Sequence, residues 1–484
     1  MTAGSPGVPA APAPRPVSHA VLGRGSLYTL ATAAPALASV GVIPVVTRLL
    51  PIAEYDLVAV ATVVVQVGFI LAALGMGAAI TRQYILDAGG AAGARGLVLQ
   101  GAALSTGLTA VAAATLTWWS PALLGRQAGP EILLALVSSL GGAWMVLAQS
   151  YLRGADRAGT FVALAVVASL LGPASGLVVV AMGERVALGY LAGVTGGYLL
   201  AGLAGLAVVV RSGPVSAGRR ALRTAVRIGL PTVPHQVSLY LALAGLVVVA
   251  DRLLGDGGRA NVALTLGAGA TVVTAAMNNA WAPAVYRTPP ERRGAVLTET
   301  TGAIALLTVV VAGLVSLLAP WVLRVAAPGS YGPDALVPAV ALASAAAVPS
   351  VLYLASGHLV FASGRTGALA VTTPLAVTGG LLWAYLLAPA WGLTAVAAGY
   401  LVAYLLLALV TTLLQRRVAE HPWWPPVLLK VLGVWLAVTA AGWLLPTTGA
   451  PALIRVVAVV VLVVLGGWAL RSRLRAVPAA QPSA

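Results

Sequence analysis

The sequence has no cysteine, which excludes disulfides, thiolate metal sites and thiol catalysis together. It has little charge: Asp, Glu, Lys and Arg make up 8% of its 484 residues, against roughly 25% in a soluble domain. A chain this poor in charge cannot cover a water-facing surface, so lipid must be its solvent. Histidine is scarce. His19, His235, His358 and His421 stand at spacings that suit no metal, and no nucleotide-binding P-loop occurs, so no cofactor is expected. Lysine is limited to Lys430; with the heavy use of Arg, Ala, Val and Gly, this points to a GC-rich bacterial genome. The net charge of +16 does not make a nucleic-acid partner, because the basic residues are scattered over short loops and form no basic domain.

What is present is apolar. Hydrophobic residues make up 60% of the chain and the mean hydropathy is +0.97. The 55 glycines and 31 prolines would mean loops in a soluble protein. In a membrane bundle, glycine lets helices approach closely and proline is tolerated inside spans.

The charges act as punctuation. A span needs about 20 apolar residues, and the uncharged gaps Arg24–Arg48, Asp56–Arg82, Arg95–Arg126, Glu131–Arg153, Arg157–Glu184, Arg185–Arg211, Arg227–Asp251, Arg259–Arg287, Glu299–Arg324 and Asp334–Arg365 each hold one. The gap Arg365–Arg416 holds two, broken near Pro389-Ala390-Trp391-Gly392, and two more follow, the last with Arg455 near its end. The fold class expected is an all-α polytopic membrane protein of about 14 helices. With the N-terminus in the cytoplasm, 21 of the 28 basic residues fall on the cytoplasmic side and seven outside. The positive-inside rule therefore puts both termini in the cytoplasm, and the bilayer expected is the bacterial inner membrane.

A repeat runs through the first twelve spans. Thr47-Arg48-Leu49-Leu50 ends span 1 and Asp251-Arg252-Leu253-Leu254 ends span 7; Arg82 ends span 2 and Arg287 span 8. Gly197-Tyr198 in span 6 answers Gly399-Tyr400 in span 12. The offset stays near 204 residues. Six is even, so both halves start on the same side, and the repeat is parallel about an axis along the membrane normal. The expected organisation is a disordered tail (1–23), an N-lobe (24–210), a basic linker (211–227), a C-lobe (228–415), two appended helices (416–475) and a second tail (476–484).

At these landmarks the chain resembles a known family. Thr47-Arg48-Leu49-Leu50-Pro51-Ile52-Ala53-Glu54-Tyr55, Leu74-Gly75-Met76-Gly77-Ala78-Ala79-Ile80-Thr81-Arg82, Gly229-Leu230-Pro231, Trp281-Ala282-Pro283-Ala284-Val285-Tyr286 and Gly392-Leu393-Thr394-Ala395-Val396-Ala397 are similar to segments of the bacterial O-antigen and exopolysaccharide lipid flippases. Those form the polysaccharide branch of the multidrug/oligosaccharidyl-lipid/polysaccharide exporter superfamily. Two positions depart from the family pattern: Asp56 stands where Gly is usual, and Thr372, Thr373 and Pro374 stand where Asn is frequent in span 11. The resemblance covers roughly residues 24–415. It implies transfer of an undecaprenyl-pyrophosphate-linked oligosaccharide from the cytoplasmic to the outer leaflet, with other polysaccharide-assembly membrane proteins as further possible partners.

Few polar side chains sit within spans: Gln66, Gln149, His235, Gln236, Asn278 and Asn279. Such groups mark either a cavity or an interhelical hydrogen bond. His235-Gln236 and Asn278-Asn279 fall at similar depth on adjacent helices and are the better candidates for a cavity wall. Arg82 and Arg287 are repeat-related at the cytoplasmic mouth, Arg48 and Arg252 at the outer one. A pyrophosphate needs cationic, multidentate donors, which the planar arginine fork supplies. The competing reading makes Arg82 and Arg287 topology anchors, and pairs Arg48 and Arg252 with Glu54, Asp56 or Asp251.

Other functions predict other features. A multidrug cation antiporter of the same fold would carry an acid deep in a span, and none lies there. A membrane polysaccharide polymerase or ligase would need a long external loop, and the loops are short. An inactive membrane scaffold would leave no mark in the sequence.

Overall fold

The computed structural model describes residues 38–183, 185–216, 218–424 and 428–476. The expected tails lie outside these residues, apart from Ala476. In lipid every backbone N–H and C=O must be satisfied within the chain, and long runs of Ala, Leu and Val accordingly form helices. Eleven helices are long and apolar enough to cross a membrane, with two shorter apolar ones, Ala38–Leu49 and Val431–Leu444. One of the eleven, Leu369–Val418, folds back at Gly392 (φ 57°, ψ −143°), a conformation open only to glycine, and so contains two crossings. That makes fourteen among the described residues. They are α1 (Ala38–Leu49), α2 (Ile52–Ala73), α3 (Gly90–Ala114), α4 (Pro130–Gly154), α5 (Ala158–Met182), α6 (Ala187–Arg211), α7 (Val233–Leu254), α8 (Gly257–Arg287), α9 (Pro290–Ala326), α10 (Pro333–Ala362), α11 (369–391), α12 (393–418), α13 (Leu428–Leu444) and α14 (Ala450–Ala476). The chain is a multi-pass membrane protein.

The helices form two like groups. In the first, α4 packs against α2, α3 and α6; in the second, α10 packs against α8, α9 and α12. The α5/α6 and α11/α12 crossings are both made at glycine. A Cβ on Gly172 would lie 3.3 Å from Gly197 Cα, and one on Gly399 would lie 2.6 Å from the Gly380 carbonyl oxygen. Backbones that close leave no room for a side chain. The appended α13 and α14 pack on α9.

The residues joining the halves include a short helix. Arg219–Gly229 is an amphipathic helix. Its Ala221, Leu222, Ala225 and Val226 pack onto the first half, while Arg219, Arg220, Arg223 and Arg227 are exposed. Buried Arg95 holds its approach, donating to the carbonyls of Pro214 (2.7 Å) and Ser212 (3.3 Å) and to the Tyr151 hydroxyl (2.9 Å). Arg455 lies near the start of α14, as expected, and is fully buried. It donates to the carbonyls of Gly442, Leu445 and Pro446, capping the C-terminal end of α13, where carbonyls have no helical partner.

The hydrophobic core is joined at one end of the bundle and divided at the other. One cluster unites both halves and includes Tyr55, Ala59, Ala135 and Leu191 with Val247, Leu264, Leu336 and Val396. Toward the opposite end, the end of Arg82 and Arg287, there are two clusters. One belongs to the first half (Met76, Leu97, Leu147, Tyr151) and one to the second (Trp281, Val285, Leu297, Val351). On one flank α2 and α7 stay together toward the divided end: Phe69 and Tyr240 meet edge-on at 6.1 Å. Past α2, a Cβ on Gly75 would lie 2.7 Å from Thr232 Oγ1. Leu74 and Gly75 are both left-handed there (φ 51° and 65°).

Candidate functional site

The joined end is held by polar contacts that cross between the halves. Arg126, in the turn between α3 and α4, donates two N–H groups to the Asp251 carboxylate at the end of α7, with Nε 2.8 Å from Oδ2. The Asp251 side chain is 4% exposed and that of Arg126 29%. These bonds push the Arg126 guanidinium further above its ordinary range. Asp56, buried at the start of α2, accepts the N–H of Gly258 at the start of α8. Close by, Asn261 Nδ2 donates to the Tyr55 hydroxyl at 2.9 Å, and Tyr55 meets Tyr331 edge-on at 6.2 Å. Burial raises the Tyr331 hydroxyl above its usual range, with Tyr55 and Asp56 adding to the effect. Thr47 Oγ1 donates to the carbonyl of Ala326 at 2.8 Å. Together these contacts make a latch of one ion pair and several hydrogen bonds.

The eight residues expected to line a path are distributed as follows. Arg48 is exposed and donates to Pro44 O, one turn back in its own helix, at 2.6 Å. Arg252 is exposed and donates across the halves to Ala122 O at 2.8 Å, so it belongs to the latch. Arg82 is exposed, its Nε 3.7 Å from Asp87 Oδ1. Arg287 ends α8, exposed. Among the described residues no hydrogen bond, ion pair or cavity unites any two of these four. The acids expected as partners for Arg48 and Arg252 are otherwise engaged. Asp251 pairs with Arg126, Asp56 holds Gly258, and Glu54 accepts the Ala187 N–H at 2.7 Å.

The polar middle divides between neighbours. His235 Nδ1 meets Thr373 Oγ1 at 2.8 Å, tying α7 to α11. Gln236 is exposed and donates to Thr232 Oγ1 at 2.9 Å within its own segment. The Asn279 side chain lies outside the described residues. Asn278 faces a cavity of ≈ 70 Å³ between α8 and α10, together with Tyr286, Tyr353, His358 and Leu369. Its Oδ1 and the Nε2 of His358 are buried without a hydrogen-bond partner among the described residues. His358 Nδ1 stands 3.4 Å from the Tyr286 hydroxyl. Gln149 makes an interhelical bond, Nε2 to Phe161 O at 3.1 Å. Both departures from the family pattern therefore take part in helix-to-helix contacts: Asp56 through Gly258, Thr373 through His235.

Sequence reasoning missed Arg126, Asn261 and His358. The one available signal was that Arg126, like Arg252, is a basic residue in the minority on its side of the bundle.

Against known proteins, the model of a family described as polysaccharide biosynthesis protein matches residues 22–288, more than half of the chain. Among curated proteins no match is found. Among solved structures, an inward-facing multidrug resistance MATE family transporter of the MOP superfamily superposes with a TM-score of 0.57 at 18% identity, over 84% of this chain and 95% of its own. An outward-facing form gives 0.56 at 17%, over 82% and 94%. A MATE in complex with MaL6 gives 0.56 at 18%, over 82% and 95%. At these identities the likeness is one of fold.

Proposed function

The chain belongs to the polysaccharide biosynthesis protein family, and from that premise we propose that it is a flippase. Its substrate is a polyprenyl-pyrophosphate-linked oligosaccharide, carried across the bacterial cytoplasmic membrane by alternating access between two six-helix lobes, residues 24–210 and 228–415. The observation that carries the reading is the hydrophobic core, joined across the lobes at the latch end and divided at the other. A transporter caught with one mouth shut has this arrangement, and one that rocks needs an interface able to part. The positive-inside rule assigns the latch end to the outside and the Arg82 end to the cytoplasm, so this is the cytoplasm-open state, with both termini cytoplasmic.

Four arginines act on the pyrophosphate: Arg82 and Arg287 at the open mouth, Arg48 and Arg252 at the shut one. Each Coulomb attraction is on the order of a few kcal/mol at intermediate dielectric, enough to draw the headgroup without trapping it. His235, Gln236, Asn278 and Asn279 offer hydrogen bonds to the sugar on the way. Arg252 has a second task, since its bond to Ala122 O exists only while the outer mouth is shut.

The test is a reconstituted one. Proteoliposomes carrying the purified chain and a fluorescent polyprenyl-pyrophosphate disaccharide are quenched from one side, and the exposed fraction is followed with time. Transfer above protein-free liposomes is expected, and it should fall in Arg252→Lys and Arg287→Lys, which keep charge and topology but lose the fork. Full transfer by both variants removes the arginines from the site. No transfer by the parent, together with efflux of a cationic dye under an ion gradient, would replace the flippase by a cation antiporter.

A further inference from the structure

A second cleft lies at the divided end and includes none of the eight path residues. It has a volume of about 480 Å³ and is walled by the start of α9 (Pro290, Arg293), the α10–α11 turn (Ser363, Arg365), and the end of α12 with the chain after it (Arg417, Glu420, His421). Three guanidiniums from three separate segments face one carboxylate. Arg365 and Arg417 are exposed and, among the described residues, neither side chain makes a hydrogen bond or ion pair, not even to Glu420. Among the same residues Arg293 uses only Nε, on Thr288 O at 3.0 Å.

The wall is rigid. Gln415, fully buried, donates Nε2 to Trp423 O (2.6 Å) and accepts the Trp423 N–H on Oε1 (3.2 Å). Trp423 Nε1 in turn donates to Thr298 on α9 at 2.8 Å. The segment carrying Arg417 is thus clamped to the helix carrying Arg293. Leu359 and Ala362 of α10 form an apolar side to the same cleft. Exposed Trp424, with the Arg416 guanidinium 5.2 Å from its ring centre, stands where aromatic rings meet headgroups.

We propose that this cleft binds a phosphate-bearing anion, either the phosphodiester headgroup of an anionic phospholipid or a phosphate compound from the adjoining water. Arginine forks match phosphate oxygens in bidentate geometry. Basic recesses between transmembrane helices suit such headgroups, and the apolar wall gives an acyl chain a surface to follow.

The experiment is native mass spectrometry of the full chain in neutral detergent, titrated with cardiolipin, phosphatidylcholine or inorganic pyrophosphate. It is run on the parent, on Arg365→Gln/Arg417→Gln, and on Arg219→Gln/Arg220→Gln, which removes the same charge from the surface helix. Size-exclusion profiles confirm that all three are folded. Cardiolipin is expected to bind the parent at least about tenfold more tightly than phosphatidylcholine, with that preference lost in the cleft variant and kept in the surface-helix variant. The same pattern for pyrophosphate alone supports the phosphate chemistry with the ligand drawn from solution. Equal losses in the two double variants, or no arginine-dependent binding of either anion, overturn the site.

Discussion

If Arg126 and Asp251 hold the outer mouth shut, removing one partner should open it by a calculable amount. Cutting one member from a fully buried ion pair costs about 3–5 kcal/mol, because a charge is left uncompensated. Here Asp251 is buried but Arg126 keeps 29% of its side chain exposed and can turn to water, so about 2 kcal/mol is the better figure for Asp251→Asn. Arg126→Gln, which strands the buried carboxylate, should cost more. At about 1.4 kcal/mol per tenfold, 2 kcal/mol shifts the shut/open ratio roughly 30-fold, and a mouth open about 1% of the time becomes open about 20% of the time.

The absence of cysteine makes the assay direct. Ala59 stands one turn beyond Tyr55 on α2 and is 1% exposed. A cysteine placed there should react slowly with a membrane-impermeant maleimide applied to whole cells. The rate should rise at least about tenfold in Asp251→Asn and further in Arg126→Gln, in proportion to the open population. The exchange Arg126→Asp/Asp251→Arg should return it toward the parent value, because the two changes restore one interaction. Labelling that stays within about twofold of the parent in both single variants would refute the latch, since the populations would then not depend on the pair.

Three further outcomes are expected. Gly75→Ala places a Cβ 2.7 Å from Thr232 Oγ1 at φ 65°; it should cost about 1–3 kcal/mol and slow transfer in the proteoliposome assay, and an unchanged melting temperature and rate would count against a tight fit between the halves there. Arg455→Leu strips the donors from the end of α13; about 2 kcal/mol of local stability should go, read as earlier proteolysis between α13 and α14, while equal proteolysis of parent and variant would show that the cap is dispensable. Asn278→Ala removes a cavity oxygen that has no hydrogen-bond partner among the described residues, so thermal stability should hold while oligosaccharide transfer falls; unchanged transfer would make the cavity a packing feature.

The fold was legible because lipid leaves so few choices. Charges cannot be buried in hydrocarbon without a partner, so the gaps between them marked the spans, and the fold-back near Pro389 and Gly392 was readable from the residues that break helices. By composition the stretch 211–227 is a basic linker; the spacing of Ala221, Leu222, Ala225 and Val226 is what marks the Arg219–Gly229 helix within it. Charge places Arg455 near a helix end, but local sequence does not reveal that the carbonyls of the preceding turn are its partners.

The latch was not legible for a deeper reason. Arg126 and Asp251 are 125 residues apart, and they meet only through the way the two lobes dock. Within lipid, apolar helices gain little by leaving tails for one another. If the chain works by alternating access, the Ala, Val and Leu surfaces that meet at the joined end therefore favour that state only weakly over a parted one. What distinguishes the states is then the polar set: Arg126 with Asp251, Asp56 with Gly258, Asn261 with Tyr55 and Thr47 with Ala326. A sequence able to adopt two dockings must leave these partners free to separate, so a local pattern cannot fix them. The departure of Asp56 from the family's usual glycine belongs to the same logic: a carboxylate at that position adds an acceptor that a glycine could not offer to the start of α8.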